Sequence, residues 1–171
     1  MNRPMRHATA FPALEHDHDG CIQAALDSAE ETCERNGARL TELRRHVLRL
    51  VWASHEPMGA YAILEVLKTR GHAAAPPTVY RALEFLREQR LIHRIESLNA
   101  YIGCSHPDAA HTALVLICTG CHRAAEFEDR VVDEKLRQTA AARGFAVHRQ
   151  TIEVEGLCPD CRRAKGDRDS G

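Results

Sequence analysis

Up to Leu86 the apolar residues recur mostly at helical spacing, and from Leu91 onward they gather into short strand-like runs broken by one more helical stretch. Ile22, Ala25, Leu26, Ala29 and Cys33 follow i, i+3, i+4, i+7 spacing, and Asn36-Gly37 supplies a stop. This predicts a first helix from Cys21 with Cys33 on its buried face. Thr41 stands where a second helix would be capped; Leu43, Val47, Leu50 and Val51 form its apolar stripe, while Arg44, Arg45 and Arg49 fall largely off it. After Pro57 and Gly59 a third helix is expected from Ala60 to Thr69, with Ile63, Leu64 and Leu67 inward and Gly71 as its end. Pro77 suits the start of a fourth helix, since its missing donor would be an orphan there. In that helix Val79, Leu83 and Leu86 face inward and leave Thr78, Tyr80, Arg81, Glu84 and Arg87 on other faces.

Leu91 to Ile95 and Ala100 to Gly103 read as two strands joined by the polar turn Glu96-Ser97-Leu98-Asn99. Short helices followed by a hairpin are the order of a winged helix-turn-helix, in which the helix beginning at Thr78 would enter the major groove and the hairpin would lie beside the backbone. Cys104 to His111 has no periodicity and reads as a linker. Beyond it come strands at Thr112 to Cys118 and Arg123 to Phe127, a helix at Val131 to Arg143 stopped by Gly144, and a longer strand at Phe145 to Glu155. The expected fold class is α+β. An N-terminal winged helix-turn-helix DNA-binding domain (21–103) is followed by a hinge (104–111) and a small C-terminal α/β dimerisation domain (112–161), between a flexible arm (1–20) and a flexible charged tail (162–171). So thin an α/β layer leaves a sheet edge or face uncovered, and a homodimer is its natural cover.

Charge sharpens the first domain. The formal net charge is −1, but Arg35 to Arg94 carries 11 Lys+Arg against 5 Asp+Glu, leaving 12 against 19 elsewhere. A basic segment in an otherwise acidic chain suits a polyanion such as double-stranded DNA, although a solvated basic face has the same composition. Arg81 can take guanine O6 and N7 together, and Thr78 and Tyr80 stand at the head of the same helix. Arg44, Arg45 and Arg87 are candidates for phosphate contact. The plainer readings are packing for Tyr80 and a surface salt bridge for Arg81.

Two C-x-x-C knuckles, Cys118-Thr119-Gly120-Cys121 and Cys158-Pro159-Asp160-Cys161, frame the αβ stretch. Such a pair closes a four-thiolate tetrahedron, the cage zinc prefers, whereas one knuckle alone would equally suit redox chemistry. Four thiolates fill the coordination shell, so an ion there staples a domain too small to stand on its core and has no open position for chemistry. Seven cysteines, no apolar leader, and a longest apolar run of only Ala113 to Ile117 read as a reduced cytoplasmic protein without a membrane partner or small-molecule substrate. His16-Asp17-His18-Asp19, His106, His122 and His148 remain as further histidines, of which His106 and the N-terminal pair are candidates for an additional metal site.

Pro76-Pro77-Thr78-Val79-Tyr80-Arg81-Ala82-Leu83, a wing, a hinge and paired knuckles together resemble the ferric uptake regulator family of metal-sensing transcription factors. The resemblance runs from Cys21 to Cys161. Iron sensors of that family carry a His-His-Asp-His run before the first knuckle, whereas this chain has His106-Pro107-Asp108-Ala109-Ala110-His111, which is more similar to the zinc uptake branch. The resemblance implies a zinc-loaded homodimer that binds operator DNA and represses zinc-acquisition genes, with an iron- or peroxide-responsive regulator as the alternative. It also implies a regulatory zinc ion on His93, Cys104, His111 and Glu126, beside the structural one on the knuckles, and a DNA contact by Tyr61. A soft thiolate at Cys104 would bias that site toward zinc. A zinc deaminase is excluded: no His-x-Glu occurs, and Leu157 rather than proline precedes Cys158.

Overall fold

The computed structural model describes Phe11 and residues 18–107, 112–148 and 150–166. His7, His16 and Asp17 of the expected arm, Asp108 to His111 of the expected hinge, and residues 167–171 of the expected tail lie outside the described residues. The described residues divide into two compact units, 18–107 and, with Phe11, 112–166.

The N-terminal unit contains α1 (His18–Arg35), α2 (Glu42–Trp52), β1 (Met58–Gly59), α3 (Ala60–Thr69), α4 (Pro76–Glu88), β2 (Ile92–Ile95) and β3 (Ala100–Gly103). α1 begins at His18, so helix replaces the last residues of the arm expected over 1–20. It ends where the sequence indicates: Gly37 takes φ +62, the Ala38 N–H donates to the Cys33 carbonyl (2.8 Å) and Gly37 N–H to Glu34 (3.1 Å). Both bonds satisfy carbonyls the helix itself leaves open. α3 closes the same way on Gly71, and α4 on Arg90, which takes φ +59 without being glycine. Thr41 occupies the N-cap position of α2, but its side chain makes no capping bond. The core joins Leu26, Ala29 and Cys33 of α1 to Val47, Leu50 and Val51 of α2, Ile63 and Leu67 of α3, and Val79, Leu83 and Leu86 of α4. Burial pushes the Cys33 thiol above its ordinary value.

The expected wing is present as β2 and β3, antiparallel with His93 opposite Ile102 and Ile92 opposite Gly103. A strand not anticipated, β1, adds to the other side of β3 through Met58 and Tyr101, giving the order β1-β3-β2.

The C-terminal unit contains β4 (Ala113–Cys118), β5 (Ala124–Phe127), α5 (Arg130–Ala141), β6 (Thr151–Gly156) and α6 (Pro159–Gly166). β4 is central, antiparallel to β5 and parallel to β6. The strand expected from Phe145 begins only at Thr151. Its ladder runs from Ala113 opposite Thr151 to Cys118 opposite Gly156, the whole length of β4. Residues before Thr151 have no remaining β4 backbone to pair with, and Phe145 is exposed. The sequence also missed α6, which continues the second knuckle into the expected tail: Pro159 opens it, and Arg162 N–H donates to the Cys158 carbonyl (2.9 Å). Asp129 caps α5 by accepting from Val131 and Val132 N–H at 2.8 and 3.1 Å. No residue of α5 is buried, and Val131, Val132 and Leu136 stand exposed. Among the described residues no helix is long and apolar enough to cross a membrane.

Candidate metal centres and nucleic-acid interface

The first knuckle is the turn from β4 into β5. Cys118 N–H donates to the Arg123 carbonyl and His122 N–H to the Cys118 carbonyl, both at 2.9 Å, with His122 at φ +60. The second follows β6, where parallel pairing brings the chain back beside the first: Thr119 N–H donates to the Gly156 carbonyl (2.8 Å) and Cys158 N–H to Cys118 Sγ (3.3 Å). All four Sγ atoms lie within 4.8 Å of one another. Cys121 and Cys158 Sγ are 3.8 Å apart. Tetrahedral zinc with bonds of about 2.3 Å sets its sulfurs about 3.8 Å apart, so the donor set fits. Gly120 leaves the room this needs, because a Cβ there would press to 3.0 Å from Cys161 Sγ.

The thiols differ electrostatically. Burial pushes Cys118 up, but hydrogen bonds from Cys158, Cys121 and Gly120 outweigh it and hold the thiol down at about 6. The Cys161 thiol is pushed up to about 12, first by its hydrogen bond to Cys158 and then by burial. Thiols crowded this closely cannot all ionise without a cation among them. Arg123 was missed in the sequence. Its buried side chain donates from Nε to Cys121 Sγ (3.2 Å) and is held more firmly protonated by that bond. The available signal was the pairing of opposite charges across the knuckles, Arg123 beside one and Asp160 inside the other.

In the N-terminal unit, His93 lies on β2 and Cys104 directly after β3. Cys104 N–H donates to the Leu91 carbonyl (3.0 Å), so the residue continues the wing rather than opening a loose linker. A His93 ring nitrogen and the buried Cys104 Sγ lie within 4.8 Å of each other. In the C-terminal unit, Glu126 stands on β5 opposite Val115 and is only 9% exposed, unusual for a carboxylate. His111, the remaining ligand the resemblance implies, lies outside the described residues. His106, His122 and His148 are exposed, and no ligand cluster among the described residues includes them.

Tyr61 at the head of α3 is 70% exposed and Tyr80 on α4 is 45% exposed, with Thr78 and Arg81 also exposed. No ion pair to Arg81 is seen among the described residues. The three phosphate candidates have internal partners. The Arg44 guanidinium lies 3.4 Å from the Phe85 ring centroid and donates to the Arg39 carbonyl (2.6 Å). Arg45 pairs with Glu30, and Arg87 with Glu84 at 2.8 Å.

Comparison with known proteins points to one family. The profile of the Ferric uptake regulator family matches residues 35–155. The Zinc uptake regulation protein of Escherichia coli is 39% identical over 140 residues, covering 81% of this chain and 82% of that protein. The Peroxide operon regulator of Bacillus subtilis is 26% identical over 138 residues, covering 81% and 94%. A solved zinc uptake regulator complexed with zinc and DNA superimposes with a TM-score of 0.80 at 38% identity, covering 85% of this chain and 97% of that one.

Proposed function

This chain belongs to the ferric uptake regulator family, and on that premise we propose that it is a zinc-responsive transcriptional repressor. It is a regulator and not an enzyme. As a zinc-loaded homodimer in the cytoplasm it binds operator DNA and represses zinc-acquisition genes. Two ions serve each chain. The structural one is held by Cys118, Cys121, Cys158 and Cys161. The regulatory one is held by His93, Cys104, His111 and Glu126, which offer two nitrogens, one thiolate and one carboxylate to a tetrahedral ion. Exposed apolar residues on α5 support the homodimer, since Val131 is 76%, Val132 40% and Leu136 41% exposed.

The observation that carries this reading is the pairing of His93 with buried Cys104 on the wing of the DNA-reading unit. A thiolate and an imidazole favour zinc over cations that prefer oxygen. A metal held partly by the wing and partly by the dimer domain favours the one arrangement that completes its ligand set. A dimer reads DNA when its two recognition helices meet successive major grooves about 34 Å apart, so ligand placement becomes a condition on DNA binding. On α4, Arg81, Tyr80 and Thr78 would face base edges, with Tyr61 on α3. Arg44, Arg45 and Arg87 would turn from their internal partners to phosphates.

The test is a gel-shift titration of Cys104→Ser with zinc. The variant is expected to remain a folded dimer whose operator binding no longer follows zinc. Zinc response equal to that of the unaltered protein would remove Cys104 from the sensing site. No observation favours the iron- or peroxide-responsive alternative, whose representative is the more distant relative at 26% identity.

A further inference from the structure

We infer that Arg123 is a positioning residue of the four-cysteine centre: one guanidinium hydrogen-bonds a ligand sulfur of each knuckle and so ties the two knuckles together around the ion. The inference rests on the zinc reading of the knuckles and adds to it a cation from the chain itself.

The geometry is specific. Arg123 is 7% exposed, so its charge has little water to stabilise it. Its Nε donates to Cys121 Sγ at 3.2 Å and its Nη2 to Cys158 Sγ at 3.6 Å, one sulfur from each knuckle. The same Nη2 donates to Asp160 Oδ2 at 3.1 Å, and the Arg163 guanidinium takes the other carboxylate oxygen at 2.6 Å. The Phe11 ring lies 5.4 Å from the Arg123 guanidinium carbon. Asp160 is thus shared between two guanidinia, and the Arg123 charge also faces the sulfurs. Four thiolates around a divalent ion carry two negative charges, and a buried excess of charge is costly unless hydrogen-bonded or paired. Arg123 meets both requirements. A hydrogen bond to a coordinating sulfur also fixes its orientation toward the ion and tunes how tightly the ion is held, as partners around a metal's ligands do generally.

A plain salt bridge between Arg123 and Asp160 would predict a fold contribution alone, so the test reads the sulfurs. The zinc-loaded full chain is challenged with excess chelator, and release of the more tightly held ion is timed. Arg123→Met should shorten its half-time about tenfold, the lower range for losing such a partner, and Arg123→Lys should fall between. In the cobalt-substituted protein, losing the donors raises the energy of the sulfur lone pairs. The thiolate-to-cobalt charge-transfer band should therefore shift to lower energy in Arg123→Met, less in Arg123→Lys, and little in Asp160→Asn. If Arg123→Met does not fold, Arg123→Lys decides by the same band. An unshifted band with unchanged release in the folded variant overturns the inference while leaving the zinc site standing. A wild-type chain without a tightly held zinc overturns both.

Discussion

Gly103 has no room for a side chain, because a Cβ there would lie inside the Trp52 indole. The residue ends β3, and the next residue is Cys104, which is bonded back to Leu91. Gly103→Ala must therefore displace either the indole or the strand end that carries the proposed ligand. Overpacking of this kind costs about 1–3 kcal/mol. The expected result is a lower urea midpoint at unchanged slope, together with weaker zinc response in the gel shift, because Cys104 moves with the strand end. An unchanged midpoint would mean that the indole swings aside without cost. Nothing local in the sequence announces this contact, since Trp52 and Gly103 meet only once α2 packs on the wing. The knuckle cysteines were legible for the opposite reason: two-residue spacing makes each pair local, and the chemistry of four thiolates leaves little choice of ion. Arg123 was not, because its role depends on Asp160 and Cys158, which parallel pairing of β6 with β4 brings to it.

At the scale of elements, α4 is the clearest success of the apolar pattern: Val79, Leu83 and Leu86 are buried, and the residues read as outward are mostly exposed. β6 was over-extended, because periodicity measures a strand's suitability while its length is set by the six residues of β4 beside it. α5 was expected as a helix over Val131 to Arg143 and is one over Arg130–Ala141, but helical periodicity does not say whether its cover lies in the same chain. The outward face of α4 permits a division of labour among arginines. Exposed Arg81 is proposed to read a base, so Arg81→Ala should cost about 1–3 kcal/mol on operator and little on unrelated DNA. Arg44 of α2 packs on Phe85 and donates to the Arg39 carbonyl and is proposed to turn to phosphate on DNA, so Arg44→Ala should weaken both DNAs alike and destabilise the N-terminal unit. Competition gel shifts on the two DNAs over a range of salt measure the difference. Equal losses on both DNAs from Arg81→Ala would deny it a base-reading role.

For the molecule as a whole, the overall charge of −1 conceals a basic reading segment, with 11 Lys+Arg against 5 Asp+Glu between Arg35 and Arg94. On the proposed function that charge would give affinity for any DNA, so zinc would act by changing how two such segments are presented together. The two proposed ions make separable predictions. Zinc content near two per chain is expected, and a chelator strong enough only for the weaker ion should abolish operator binding while sedimentation still reports a dimer. Stripping the second ion should then dissociate and unfold the dimer domain, because four crowded thiolates, two of them buried, lose the cation that holds them together. Operator binding that survives the first removal would show that the regulatory ion does not regulate. The linkage can also be read in reverse. If zinc raises operator affinity by some factor, operator must raise the combined affinity for the dimer's two weaker zinc ions by the same factor, since both sides of the cycle share one coupling free energy. Competing the protein against a zinc indicator, with and without operator, measures that second factor. Equal factors tie the sensing ion to DNA binding with no further step; unequal ones would require a third coupled event, such as a change in oligomer size on DNA.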